Sequence, residues 1–419
     1  MMVNLTIDHL GSGGDGVTTN EGHPVFVPFT APEDRITAEL GDARGSGRMA
    51  ELVEILKAGP DRVSPRCRHF GTCGGCALQH LSPAFTANWK RQRIIDCLSK
   101  VGIHDIVVEP TLTSAAQSRR RVEFVASKRK KGVMIGYHVR RSHQVFDIGE
   151  CPVLHPDLLA LVKPLRAMLP HLLPRNSQAR LTATVTDNGP DLLITAELEI
   201  DLAARELLAG FVADHGLSRI SLALKPGATT EVITAARNAE VILGDVPVIL
   251  APGGFLQATD DGEKILIERA TAALDSAKNI ADLFAGCGSF SFPLAKQAKV
   301  FAVEGDEELA AALQNSANKN ILPISSEVRD LFHRPLLAEE LKPFDGVLFD
   351  PPRAGAQTQS EEVAKSKVET VVAVSCNPVT FARDMALLVT GGYHIDSLLP
   401  VDQFLWSPHV EMIAVLTRP

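Results

Sequence analysis

Cys376 stands in the run Val-Val-Ala-Val-Ser-Cys-Asn-Pro at 371–378, at the mouth of a hydrophobic strand. A free Cys there, followed by the turn-forming pair Asn377-Pro378, is placed as a nucleophile. A lone Cys is more often a buried small hydrophobe, and the strand-end setting argues against that role. Covalent attack by a thiolate splits one hard step into two easier ones, and a base must then take a proton so that the thiolate can leave. The run Ser-Pro-His-Val-Glu-Met at 407–412 offers Glu411 as that base, with His409 the weaker alternative.

The cofactor is indicated by the turn Asp-Leu-Phe-Ala-Gly-Cys-Gly-Ser-Phe at 282–290. Gly286 and Gly288 let backbone approach a ligand closely, and the third glycine of a dinucleotide fingerprint is missing, which argues against NAD. The next strand ends at Glu304, an acid spaced to hold ribose hydroxyls. A ribose without a pyrophosphate fits S-adenosylmethionine. Asp350, in Phe-Asp-Pro-Pro-Arg at 349–353, ends a further strand, where open α/β sheets bind their ligands. Arg353 takes the place of the aromatic ring with which amino-methyltransferases stack a target amine, so amine methylation fits poorly.

Cys67, Cys73 and Cys76 form a C-x5-C-x2-C run, and Cys151-Pro152 lies far downstream. Four thiolates could hold zinc or an iron–sulfur cluster. One close pair instead of two, the wrapping glycines Gly71, Gly74 and Gly75, and Pro152 after the last Cys favour [4Fe-4S]. Cys97 and Cys287 have no partners in the pattern and read as structural.

Three regions must position these groups. Residues 1–60 hold short alternating strands broken by glycine, the pattern of a small β-barrel. Residues 61–250 hold the cysteine loop, a helix from 83 to about 101, a hairpin-like basic segment at 119–148, and mixed helices and strands. From 251 to 419 continuous apolar strands at 279–284, 299–304, 344–350 and 370–375 alternate with helices at 262–273, 290–297 and 306–320. That alternation predicts a parallel sheet covered on both faces.

With 419 residues, 45% hydrophobic composition and a net charge of −8, the chain is large enough for several cores and is not a general polyanion binder. One block departs from that balance. Arg119, Arg120, Arg121, Lys128, Arg129, Lys130, Lys131, Arg140 and Arg141 face a single acid, Glu123, which suits a phosphate backbone. No apolar run reaches the roughly 18 residues of a membrane helix, and the N-terminus lacks the layout of a signal peptide. The cysteine usage of a long chain with no such leader fits the cytoplasm.

Taken together, these residues resemble the RNA uracil-C5 methyltransferases, and in particular their iron–sulfur ribosomal RNA branch, over nearly the whole chain. The resemblance implies a TRAM-like oligonucleotide-binding barrel at 1–60, a central RNA-binding domain at 61–250, and a Rossmann-like class I methyltransferase domain at 251–419. It implies Cys376 as the nucleophile adding to uracil C6 and Glu411 as the base. It implies Cys67, Cys73, Cys76 and Cys151 as cluster ligands, and Gln257, Phe284, Ser289, Glu304, Asp330 and Asp350 as the S-adenosylmethionine site. Ser289 stands where relatives often have Asn, a change that keeps a hydrogen-bonding side chain. The expected activity is methylation of a uridine in 23S ribosomal RNA by a monomer. Transfer RNA is the nearest alternative target. A non-catalytic redox sensor that binds RNA would not need nucleophile, base and cofactor residues together. Acids outnumber Lys and Arg over residues 1–60, which shifts the expected RNA grip toward 119–141.

Overall fold

The computed structural model describes every residue except Ser46, Arg141 and Pro419, so Arg141 of the basic block lies outside the described residues. The N-terminal region is a six-stranded sheet built from Met2–Thr6 to Gly47–Lys57. Its two outer strands, Met2–Thr6 and His9–Leu10, follow each other in the chain with only Ile7 and Asp8 between them. The sheet therefore curls around one small core of Leu5, Ile7, Val25, Val27, Ile36, Ala38 and Ala50.

The central region is a seven-stranded sheet centred on Gln178–Thr184, with the basic hairpin, Arg121–Arg129 paired with Gly132–His138, beside it toward one edge. Helices Pro156–Ala160, Val162–Met168 and Leu202–His215 pack on it through Leu158, Leu165, Leu208 and Phe211.

The C-terminal region is an eight-stranded sheet. Strands Ile324–Val328, Lys299–Glu304, Asn279–Leu283, Gly346–Phe349 and Thr370–Ser375 run parallel in that spatial order. The order reverses between Asn279–Leu283 and Gly346–Phe349, the topological switch point at which such sheets bind ligands. All four residues of Gly346–Phe349 are buried, as expected of a strand covered on both faces. The sheet is not wholly parallel: Glu411–Thr417 pairs antiparallel with Thr370–Ser375 and His394–Asp402 pairs antiparallel with Glu411–Thr417.

Two elements from before residue 251 join this layer. Helix Pro83–Ser99 packs on helix Pro378–Thr390, with Ile94 and Leu98 in the C-terminal core. Leu112–Thr113 adds the outermost strand beside His394–Asp402. The stretch 290–297 is α-helical only over Ser291–Leu294; beyond it the Lys296 and Gln297 N–H groups donate to the carbonyls of Pro293 and Leu294, three residues back, the tighter turn that closes a helix.

Candidate active site

The nucleophile turn is set by its flanking residues. Strand Thr370–Ser375 ends, and helix Pro378–Thr390 begins on Asn377, whose Oδ1 accepts from the Val379 N–H at 3.2 Å. Pro378 suits the first helical turn because its missing N–H would be unpaired there in any case. Cys376 is thus held half-buried between a rigid strand and a capped helix. Asn377 Nδ2 also donates to the Arg353 carbonyl at 3.0 Å, tying the 350–353 turn to the nucleophile.

Strand register brings in the second group. Ser375 pairs with Met412 in the antiparallel ladder, so the next position on each strand places Cys376 beside Glu411. Glu411 is 4% exposed. Asp350 follows strand Gly346–Phe349, one strand over, and its N–H donates to the Leu283 carbonyl at 3.2 Å. Gln257 Nε2 donates to Asp350 Oδ2 at 2.7 Å.

Burial dominates the electrostatics here. It pushes the Cys376 thiol up to about 12, helped by the negative charges of Glu411 and Asp350 and opposed by Arg353. Burial raises Asp350 to about 7, against the Gln257 hydrogen bond that lowers it. Glu411 is raised by burial and by Asp350. His409, the alternative base, is held down to about 4 by burial and by Arg353, whose guanidinium nitrogens lie 3.4 and 3.5 Å from the imidazole nitrogens.

The glycine turn forms a second cluster. Phe284, Gly286 and Gly288 all adopt positive φ. A Cβ on Gly288 would lie 2.5 Å from the Phe292 ring, so only glycine fits. Glu304 accepts from the Gly286 N–H at 2.8 Å and from the Asp306 N–H at 2.9 Å, which fixes its carboxylate at the turn. Asp330 is exposed and accepts from the Phe332 N–H at 2.9 Å. The Phe332 ring lies 5.4 Å from that of Phe284. Ser289 Oγ donates to Glu263 at 3.1 Å, and Glu263 pairs with Arg120 at 2.8 Å. Beneath the turn Asp282 is fully buried, accepts from Ser291 Oγ at 2.5 Å, and is raised to about 7 by burial. Glu263 escaped the sequence reading, because nothing in its local sequence marks it as inward-facing, and Arg120, expected to face phosphate, instead turns inward to Glu263.

Cys67, Cys73, Cys76 and Cys151 line one cavity of about 580 Å³. Burial raises the thiols of Cys73, Cys76 and Cys151, and the neighbouring cysteines raise each of them further. Gly74 donates to the His138 carbonyl, which a Cβ on Gly74 would approach to 2.6 Å. Among the described residues no three His, Cys, Asp or Glu side chains are grouped so as to hold a single metal ion. The loop also abuts the catalytic segment: the Ala77 and Leu78 N–H groups donate to the Trp406 carbonyl at 2.9 and 3.0 Å, and His409 lines the far side of the cavity.

The basic block divides. Arg120 and Arg121 turn inward and donate to the carbonyls of Gln257 and Gly253, both at 3.0 Å. Arg119 donates to the Arg121 carbonyl at 3.0 Å, and Arg140 pairs with Asp15 at 2.5 Å. Lys128 is half-buried, and Arg129, Lys130 and Lys131 stand exposed at the hairpin tip.

The sheet order is that of a doubly wound α/β fold, and beside its switch point a half-buried thiol, Asp350 and the buried Glu411 stand at neighbouring strand ends. A family profile described as tRNA (Uracil-5-)-methyltransferase matches residues 251–419. An RNA methyltransferase of Brucella suis is 42% identical over 416 residues, covering 99% of this chain and 97% of the relative. The 23S rRNA (uracil(1939)-C(5))-methyltransferase RlmD of Shewanella denitrificans is 30% identical, covering 99% and 95%. The solved Pyrococcus abyssi tRNA (uracil-54, C5)-methyltransferase, in complex with S-adenosyl-L-homocysteine, shares the fold with TM-score 0.79 at 23% identity, covering 99% of this chain and 100% of that one. The chain belongs to the RNA uracil-5-methyltransferase family.

The crowding of Cys376 by carboxylates has a measurable consequence. In Asp350→Asn the thiol has one negative neighbour fewer, so its pKa falls. A fall of half a unit to one unit gives about three- to tenfold more thiolate at pH 8. Iodoacetamide labelling of Cys376, followed by peptide mass spectrometry, is expected to be faster by that factor than in the wild type. An unchanged rate would show that Asp350 does not bear on the thiol.

Proposed function

We propose that this RNA methyltransferase uses S-adenosylmethionine to methylate C5 of a uridine in 23S ribosomal RNA, with Cys376 as nucleophile and Glu411 as base. The observation that carries the reading is the strand register that sets Cys376 beside Glu411, one strand away from the switch point. The ribosomal target rests on the full-length similarity to RlmD, and the soluble, cytoplasmic, monomeric form remains part of the proposal. Among the described residues no helix is long and apolar enough to cross a membrane.

The bound cofactor supplies a methyl group on a sulfonium, an electrophile that uracil C5 is too weak to attack unaided. Having released its proton to solvent, the Cys376 thiolate bonds through Sγ to C6, and the C5–C6 π pair moves onto C5, which then accepts the methyl group. Glu411 takes the C5 proton, the electron pair returns to C5–C6, and the Cys376–C6 bond breaks. The target base must leave its stack to reach this recessed thiol. Gln257, Phe284, Ser289, Glu304, Asp330 and Asp350 form the cofactor site in this reading. Glu304 fits the ribose hydroxyls, and the carboxylate of Asp350 fits a cationic ligand near the thiol.

The four cysteines fit an iron–sulfur cluster. All four line one cavity, and a [4Fe-4S] cluster would take one thiolate for each of its four irons. A bound cluster would cross-link the cysteine loop to Cys151 and so pin it against the central domain, a structural part in which no electron need move. Residues 1–60 and 61–250, the TRAM-like barrel and the central domain, would hold the RNA.

Three experiments test these assignments. Cys376→Ala is expected to abolish methyl transfer, and Glu411→Gln to accumulate a protein–RNA adduct on denaturing gels; turnover by the alanine variant at the wild-type rate would exclude the covalent route. Protein purified without oxygen is expected to hold about four iron and four sulfide per chain, and Cys73→Ser far less. Zinc in their place would refute the cluster. The hairpin tip lies at the far end of the 9-residue strand Arg121–Arg129. At about 3.4 Å per residue that is about 30 Å from the Arg120–Gln257 end, so only an RNA that extends well beyond the cleft engages it. Charge reversal at Lys128, Arg129, Lys130 and Lys131 is expected to weaken RNA binding and to flatten its salt slope by about 0.7 for each phosphate no longer neutralised. An unchanged slope would remove the tip from the RNA path.

A further inference from the structure

A buried chain of side-chain amides runs into Asp350 from a residue outside every assignment above. Gln403 follows strand His394–Asp402 and is 1% exposed. Its Oε1 accepts from the Thr259 backbone N–H at 3.3 Å. A backbone N–H can only donate, so this bond settles which end of the Gln403 amide is oxygen. Gln403 Nε2 must then donate to Gln257 Oε1, at 3.0 Å, and Gln257 Nε2 to Asp350 Oδ2, at 2.7 Å. Turning either amide over would set like groups face to face in a buried place, which is costly. The chain therefore has one polarity, and it ends by presenting a donor to Asp350.

The surroundings are shaped for Gln403. A Cβ on Gly262 would lie 2.4 Å from Gln403 Cγ and 2.7 Å from Cδ, so glycine is what leaves room for its stem. Thr259, which supplies the fixed donor, is itself held: its Oγ1 accepts from the Gly262 N–H at 3.2 Å and bonds to Ser114 Oγ at 2.8 Å.

We propose that Gln403 is a positioning residue: through the Thr259 N–H it locks Gln257 so that the Gln257 amide always donates to Asp350, holding that carboxylate aimed and ready to receive a cationic cofactor. The inference rests on the assignment of Asp350 to the cofactor site. Asp350 is faced by Gln257 from the 253–257 segment, Glu263 of helix Asp260–Ala273, Asp282 of strand Asn279–Leu283, Cys376 and Glu411. The Gln257 bond is the one interaction among these that favours the charged carboxylate. Loss of that donor moves Asp350 toward its protonated form, and cofactor binding should then fail at a higher pH.

The test is S-adenosylmethionine binding to the full chain by calorimetry, between about pH 5.5 and 9, for the wild type, Gln403→Met and Gly262→Ala. Wild-type affinity is expected to fall as pH drops through about 7. In both variants the fall is expected to start about half a unit higher, giving about twofold weaker binding at pH 7, about threefold weaker binding at pH 6, and near-equal binding at pH 9. Gly262→Ala removes no polar group and favours the helix while its Cβ pushes the Gln403 stem aside, so it carries the test if Gln403→Met does not fold. Variant curves that overlay the wild type, or a loss equal at every pH, would overturn the role of Gln403. A wild-type curve with no acid limb would instead reject Asp350 as a cofactor residue.

Discussion

The antiparallel pairing of Glu411–Thr417 with Thr370–Ser375 is the constraint on which the site depends. Side chains along a strand alternate faces, so a one-residue slip would carry Glu411 away from Cys376 and turn the strand's apolar set toward the wrong layer. Burial on both faces makes such a slip costly: Val371, Val372, Ala373 and Val374 face Ile413, Ala414 and Leu416 with almost no exposure. The hydrophobic cores thus do more than stabilise the sheet. They hold one carboxylate and one thiol at adjoining strand ends, and a flexible loop could not hold that placement as firmly.

The same logic links distant parts of the chain. Segment 402–409 leads into Glu411 and is gripped from several directions. Lys90, on helix Pro83–Ser99, pairs with Asp402 at 2.5 Å with both side chains nearly inaccessible. Its Nζ also lies 3.3 Å from the Phe404 carbonyl. Arg93 on the same helix donates to the Pro408 carbonyl, and the cysteine loop donates twice to Trp406. A buried pair such as Lys90–Asp402 gains little stability over apolar packing, because desolvation offsets the attraction. Its value lies in specificity: it admits one placement of the segment that delivers Glu411 and Gln403.

Much of this was legible in the sequence where chemistry coincides with a strand end. Cys376, Asp350 and Glu304 each close a continuous apolar run, and strand alternation alone placed them at one edge of a sheet. The other parts were not legible, for physical reasons. Leu112–Thr113 is too short to show any period, and helix Pro83–Ser99 gives no sign of which sheet it covers. Charge composition cannot tell an exposed arginine from one turned inward, so the basic block read as one surface when Arg120 and Arg121 turn inward to the carbonyls of Gln257 and Gly253. Gln403 pairs with Gln257 across 146 residues, and no local pattern marks an amide whose meaning lies in its partner's orientation.

The charge distribution explains why an acidic interior suits a protein of this family. Asp282, Glu304, Asp350, Glu263 and Glu411 crowd one region, and repulsion, on top of burial, raises the pKa values of Asp282, Asp350 and Glu411. Arg120 offsets Glu263 from one side, and Arg353 opposes the rise of the Cys376 pKa from the other. Such a cleft repels the phosphate backbone of RNA and attracts a small cation. A sulfonium bound near Asp350 would relieve the repulsion and favour the Cys376 thiolate, since a nearby positive charge lowers a thiol pKa. The polyanion must then be held elsewhere, which is consistent with exposed Lys and Arg at a hairpin tip well away from the cleft. Only a single unstacked base need enter the acidic pocket, and a neutral uracil ring crosses that field at far lower cost than its phosphates would.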